Sequence, residues 1–186
     1  KSYFKLVDIE YIRIFNIKRD FFDMSDSRNI LITGAAGFIG AALSIRLIER
    51  GETVIGIDNL NNYYDTDLKK TRLKILNNNK KFIFFKFDLK NSKKLNELFN
   101  RYKIKYVVHL AAQAGVRHSI KNPEDYYNSN ILGFFNLIQC LRNHKINHCI
   151  FASTSSVYGD AKKFPIKEID NTDKPLTFYA ASKKTN

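Results

Sequence analysis

The stretch Asn29-Ile30-Leu31-Ile32-Thr33-Gly34-Ala35-Ala36-Gly37-Phe38-Ile39-Gly40 decides the fold. An apolar, β-branched run over Asn29–Thr33 enters a spaced glycine triplet, and an apolar helical pattern leaves it over Phe38–Arg50, stopped by Gly51. Between a strand and a helix the three glycines have separate tasks. Gly34 permits a tight turn, Gly37 lets backbone approach a pyrophosphate, and Gly40 allows the helix to pack closely on the strand. The free N–H groups that open the helix then face phosphate. Glycines alone carry little information; this strand–loop–helix placement reads as a dinucleotide site.

Outward from that unit, apolar runs alternate with amphipathic ones. Strands are expected at Thr53–Asp58, Phe82–Asp88, Tyr106–Ala111 and Cys149–Ser153. Helices are expected at Asp67–Leu76, Lys93–Tyr102 and Glu124–Asn143, the last opened by Pro123. Leu95, Leu98, Phe99 and Tyr102 form a core-facing stripe. Such alternation implies right-handed crossovers and an α/β, Rossmann-like, doubly wound parallel sheet of order 3-2-1-4-5. The outer strand and a substrate domain are expected beyond Asn186, so the fold reads as truncated there.

The 186 residues, 44% hydrophobic and 26% charged, suit one globular domain. No apolar run approaches the roughly 20 residues of a membrane span, and no signal-peptide pattern opens the chain; a cytoplasmic enzyme is expected. The formal charge of +13 comes largely from scattered lysines (Lys69, Lys70, Lys74, Lys80, Lys81, Lys93, Lys94) without aromatic interleaving. It reads as solvated faces, with steering of anionic ligands as the lesser reading and no nucleic-acid surface. Cys140 and Cys149 read as buried small hydrophobes. His118, His144 and His148 lack metal-ligand spacing, so no metal is expected. Residues 1–28 read as an extension of unassigned role, with Met24 as a possible start, and 29–186 as an NAD-binding domain. The 186 residues alone are expected to be inactive.

Asp58 ends the second strand, where a carboxylate accepts hydrogen bonds from an adenosine ribose and repels a 2′-phosphate, favouring NAD over NADP. The other reading is a turn aspartate before Asn59. Asp88 reads as an adenine-edge residue or a strand-end turn. His109-Leu110-Ala111-Ala112 closes the fourth strand with small residues suited to a nearby cofactor, His109 itself reading as a core histidine. Asn130 faces the cofactor or is only a polar helix residue. Phe38, Ile39, Asn59 and Leu89 complete the expected cofactor contacts. Tyr179 and Lys183, spaced Y-x-x-x-K on a helix, project from one face. An ammonium there favours the ionised phenol, as a general base working near neutrality needs. Tyr158 and Lys162 share the spacing, but their Gly159-Asp160 interior reads as a turn.

With TGAAGFIG, HLAA and Tyr179–Lys183 in place, the chain resembles the extended short-chain dehydrogenase/reductases from Asn29 to Asn186. DNLNNYYD (Asp58–Asp65), AAQAGVRHSI (Ala111–Ile120) and STSSVYG (Ser153–Gly159) resemble most closely the UDP-glucuronate 4-epimerase family. The resemblance implies a tightly held NAD that is regenerated within each turnover, in polysaccharide biosynthesis. Tyr179 would take the proton from the sugar 4-hydroxyl while hydride leaves C4. The 4-keto sugar would turn over, and hydride would return to its other face. Lys183 would bind the nicotinamide ribose. Thr154, where relatives often carry serine, would hydrogen-bond O4. Ser155 would join it on the substrate side. Arg117 reads as a contact for the sugar carboxylate or diphosphate, or equally as a solvent or salt-bridge arginine. Relatives that dehydrate resemble Thr-Asp-Glu at this place and decarboxylases Thr-Ser-Glu; Thr154-Ser155-Ser156 has neither carboxylate. UDP-N-acetylhexosamine or UDP-glucose 4-epimerases are the alternative, and a non-catalytic NAD-binding module is another. A homodimer through the helices of 124–143 and from 177 onward is implied.

Overall fold

The computed structural model describes residues 28–186. The expectations for the extension and for Met24 fall, Arg28 apart, outside the described residues. Five strands, β1 (Asn29–Thr33), β2 (Thr53–Asp58), β3 (Phe82–Lys86), β4 (Ile104–His109) and β5 (His148–Phe151), form one sheet ordered β3-β2-β1-β4-β5. Every pairing is parallel, as the alternating pattern predicts. The crossovers carry α1 (Phe38–Glu49), α2 (Thr66–Asn77) and α3 (Ser92–Arg101). After β4 come two short helices, α4 (His118–Lys121) and α5 (Pro123–Tyr126), and then α6 (Gly133–Asn143). A last helix, α7, spans Phe178–Thr185.

The period-two alternation of β1 separates two core layers. Ile30 and Ile32 pack with Val54 and Val108 beneath Leu47 of α1 and Leu73 and Leu76 of α2. Leu31 packs with Ile55, Ile57 and Val107 against Leu95, Leu98 and Phe99 of α3 and Leu137 and Cys140 of α6. Both faces of β1 are therefore covered, which is why its sequence is a continuous apolar run.

The structure corrects the sequence reading at several boundaries. The single helix expected over 124–143 is three pieces: α5, a π-helical turn at Tyr127–Leu132, and α6. Both β3 and β4 end short of the expected Asp88 and Ala111, and β5 ends at Phe151, not Ser153. In each case the residues left over turn out of the sheet at its C-terminal edge. That edge is where open α/β sheets place their ligands.

Candidate active site

The loops leaving β1, β2, β3 and β4 enclose a cavity of about 310 Å³. Its wall contains Gly34, Gly37, Phe38, Ile39, Gly40, Asp58, Asn59, Asp88, Leu89, Ala111 and Ala112, every cofactor residue expected from the sequence except Asn130, Tyr179 and Lys183. Gly34 has φ +73°, and a Cβ there would lie 2.8 Å from the Ala111 nitrogen. A Cβ on Gly40 would strike the Gly34 carbonyl oxygen. Two backbones and a helix start thus meet at contact distance. Helix α1 opens at Gly37 with no side-chain cap and no acidic residue in its first turn. Uncapped N–H groups with the positive end of the helix dipole suit a diphosphate.

Asp58 proves to be a structural and a wall residue at once. Its carboxylate accepts the N–H of Leu60 at 2.8 Å, the turn expected at this site, and the N–H of Ala36 in the glycine loop at 3.2 Å. Asp88 likewise forms a turn, accepting the Lys90 N–H at 2.9 Å, and accepts from the Asn59 amide at 2.9 Å. The two aspartates therefore fix the β2 and β3 loops to each other and to the glycine loop.

Lys69 was read among the solvated lysines, and the structure overturns that. Only 4% exposed, it reaches from α2 into the cavity wall. Its ammonium donates to the Asn61 side chain at 2.9 Å and its carbonyl at 3.2 Å, and lies 3.7 Å from Asp58 Oδ1. The signal was present: Lys69 falls on the stripe Lys69, Leu73, Leu76 that α2 buries. Arg72, one turn on, donates to the Ala36 carbonyl at 3.4 Å.

Tyr179 and Lys183 sit on α7, which Thr177 caps by accepting the Ala180 N–H at 3.2 Å. The competing Tyr158 ends a 3-10 turn, Ser155–Tyr158, and Gly159 follows at φ +58°. No helix joins Tyr158 to Lys162, whose ammonium instead pairs with Asp160. Tyr179 packs edge-on against Tyr126, with ring centroids 5.9 Å apart. Lys183 is 4% exposed and has no hydrogen-bond or ion-pair partner among the described residues. Burial pulls its ammonium down to about 8. His109 is also buried; its Nδ1 meets the Thr33 hydroxyl at 2.8 Å. Burial, and secondarily the Lys183 charge, push it down to about 3, so it is a neutral core histidine, as the sequence suggested.

Asn130 does not face the cavity. It is fully buried in the π-helical turn, where its amide donates to the Ser182 hydroxyl at 2.9 Å and the Gln113 carbonyl at 3.1 Å. Its carbonyl accepts the Gln113 N–H at 2.7 Å. Thr154 caps the 3-10 turn, accepting the Ser156 N–H at 3.2 Å, while Ser155 is exposed. Arg117 is exposed at the start of α4. Among the described residues no cluster of three His, Cys, Asp or Glu side chains could hold a metal, and no helix is long and apolar enough to cross a membrane.

The family model described as GDP-mannose 4,6 dehydratase matches residues 31–186. UDP-glucuronate 4-epimerase 1 of Arabidopsis thaliana is 45% identical over 157 residues, covering 84% of this chain and 36% of that protein. The UDP-glucuronic acid 4-epimerase of Bacillus cereus, solved with UDP-glucuronic acid and NAD, superposes with a TM-score of 0.78 at 35% identity, over 84% of this chain and 49% of that one. The UDP-Glc/GlcNAc 4-epimerase of Campylobacter jejuni gives a TM-score of 0.77 at 31% identity, over 86% and 46%. The chain thus spans about half the length, or less, of the proteins it matches.

Proposed function

The chain belongs to the extended short-chain dehydrogenase/reductase family, and we propose that residues 29–186 are the NAD-binding domain of a UDP-sugar 4-epimerase acting on UDP-glucuronate. The observation that carries the reading is a cavity lined by the glycine loop, Asp58 and Asp88, together with a helix that presents Tyr179 and a buried Lys183 whose ammonium has no partner among the described residues. The residues present fit NAD: the glycine loop is too tight for side chains, and the uncapped start of α1 suits a diphosphate. When bound, NAD supplies the acceptor and donor of hydride at the sugar C4.

This chain's own residues do the rest. Tyr179 takes the proton of the 4-hydroxyl and gives it back after the ketone has turned over. Lys183, without a competing partner among the described residues, would bind the nicotinamide ribose. Asp58 would accept from the adenosine ribose with the lone pairs the Ala36 and Leu60 amides leave, and Asp88 would meet the adenine edge. Thr154 and Ser155 would hydrogen-bond O4, and Arg117 would meet the sugar carboxylate or diphosphate. The family model bears a dehydratase's description, yet Ser155 and Ser156 stand where the acid pair of dehydrating relatives is expected. Epimerisation needs no such acid.

A neutral UDP-sugar is the second reading, supported by the nearly equal likeness to the Campylobacter enzyme. Product analysis by NMR separates the two. UDP-glucuronate and NAD should give a mixture of two C4 epimers, with no carbon dioxide and no net reduced cofactor. Faster turnover of UDP-glucose or UDP-N-acetylglucosamine would select the second reading; a pentose product would refute both. A second copy of the protein is proposed to cover the exposed Tyr127 and Phe135, 51% and 55% accessible on the segment from 124 to 143, together with Phe178 on α7. Sedimentation of Phe135→Glu against the unmodified protein tests this.

A further inference from the structure

Tyr63 and Tyr64 lie in the polar loop between β2 and α2, to which the sequence assigned no chemistry. Gly115 lies in the loop between β4 and α4. Strands β2 and β4 flank β1 on opposite sides, so a contact between their loops must pass above the glycine loop that follows β1. Such a contact exists. Gly115 has φ +102°, and a Cβ there would clash with the Tyr63 hydroxyl. The Tyr63 ring also packs on His118, centroids 4.9 Å apart. Both Tyr63 and Ala114 are in the cavity wall, as is Tyr64, whose hydroxyl lies 3.7 Å from where a Gly37 Cβ would be.

The two halves of this bridge differ in how firmly they are held. On the β4 side the fully buried Tyr126 donates its hydroxyl to the Ala114 carbonyl at 2.7 Å and also contacts the Gly115 carbonyl. Burial pushes that phenol up to about 12, so it stays a neutral donor. His118 is held by Asp125 and Asn122, each at 3.2 Å. On the β2 side Asn61 is tied to Lys69 and Asp65 caps α2, but Tyr63 between them is 40% exposed and its hydroxyl makes no hydrogen bond among the described residues. One side is a catch held by hydrogen bonds; the other is a half-exposed ring held by its contacts with His118 and Tyr64.

We propose that Tyr63 closes on Gly115 as a latch across the dinucleotide cavity, and that this latch must open before the cofactor can leave. The inference rests on the NAD-binding reading above and gives it a specific retention device. An enzyme that regenerates its cofactor in every turnover has no need to release it, so a closed roof costs no throughput.

The test is the release rate of a fluorescent ethenoadenine analogue of NAD, chased with unlabelled NAD, from the full chain and from Tyr63→Ala, Tyr63→Phe and Gly115→Ala. Loss of an aromatic contact acts mainly on dissociation, so Tyr63→Ala should release the analogue about tenfold faster. Tyr63→Phe keeps the ring and should stay within about twofold of the unmodified chain, because the hydroxyl has no hydrogen bond among the described residues to lose. Gly115→Ala forces the catch off the ring and should release about as fast as Tyr63→Ala. Unchanged release in both Tyr63→Ala and Gly115→Ala, with binding retained, would overturn the latch alone. Failure of the unmodified chain to bind the analogue would overturn the NAD reading and the latch with it.

Discussion

The side-chain amide of Asn130 donates to the hydroxyl of Ser182 across 2.9 Å, joining the π-helical turn to the helix that carries Tyr179 and Lys183. Ser182 donates onward to the Tyr179 carbonyl at 2.8 Å. With the two bonds from Asn130 to the Gln113 backbone, one residue ties the β4 loop, the π turn and α7 together. The extra residue in a π turn redirects side chains relative to an unbroken α-helix, which accounts for why Asn130 points into this junction.

Removing that junction should be expensive. Ser182→Ala leaves Asn130 bonded to Gln113 and should destabilise by about 1 kcal/mol. Asn130→Ala strands both Gln113 backbone groups in a buried site and opens a cavity, for about 3 kcal/mol or more. Asn130→Asp would bring a carboxylate against the Gln113 carbonyl and should be at least as damaging. Urea denaturation midpoints should fall in that order.

Turnover should separate the two tyrosines that share a spacing. In the complete protein Tyr179→Phe should lower kcat by about 10²–10⁴-fold, the usual contribution of a positioned acid or base. Tyr158→Phe should not, because Tyr158 ends a 3-10 turn and its Lys162 is committed to Asp160. Steady-state kinetics on both variants checks the choice.

His109 should make folding sensitive to mild acid. Its folded-state value is about 3, against about 6.5 for an unstructured histidine, so in that window the unfolded chain binds the extra proton. The advantage of the neutral ring is intact above about pH 6.5 and is lost as pH falls toward about 3, by up to about 1.4 kcal/mol per unit. Between about pH 7 and 5, before carboxylates dominate, His109→Gln should show a flatter stability profile by chemical denaturation.

Asp58 and Lys69 should set cofactor choice jointly. Both side chains are over nine-tenths buried and 3.7 Å apart. Lys69→Met leaves a buried carboxylate without its cation, a change that costs about 3–5 kcal/mol in comparable pairs; the Ala36 and Leu60 N–H bonds to Asp58 argue for the lower end. Asp58→Ser removes the repulsion of a 2′-phosphate while Lys69 stays as a ready cation. That single change should narrow the ratio of NAD to NADP affinity, measured by titrating both cofactors.

The sheet and the glycine loop were legible because their physics is local. The apolar run of β1 and the glycine spacing each report on consecutive residues. Lys69 was half legible: its place on an apolar stripe was visible, but the carboxylate that justifies burying it comes from another strand. Asn130 was misplaced because a π turn shifts the facing of a helix without any mark in composition. Its partners, Gln113 and Ser182, are far away in the chain. The Tyr63–Gly115 contact was invisible for the same reason, since the two residues belong to loops after different strands and meet only once β2 and β4 flank β1. His109 was read correctly because a histidine at the end of an apolar strand has few alternatives to burial.

The order of the strands also bears on how the protein is made. Strand β1 leaves the ribosome before the others described, yet it lies at the centre of the sheet and pairs with both β2 and β4. Until Ile104–His109 has been synthesised, one edge of β1 has no hydrogen-bonding partner, and Gly34 lacks the Ala111 backbone it rests on. Long-range parallel pairing of this kind is slow and leaves apolar strands exposed to other nascent chains. Chains stalled before β4 should therefore be prominent clients of ribosome-associated chaperones, whereas those that have passed β5 can close both core layers.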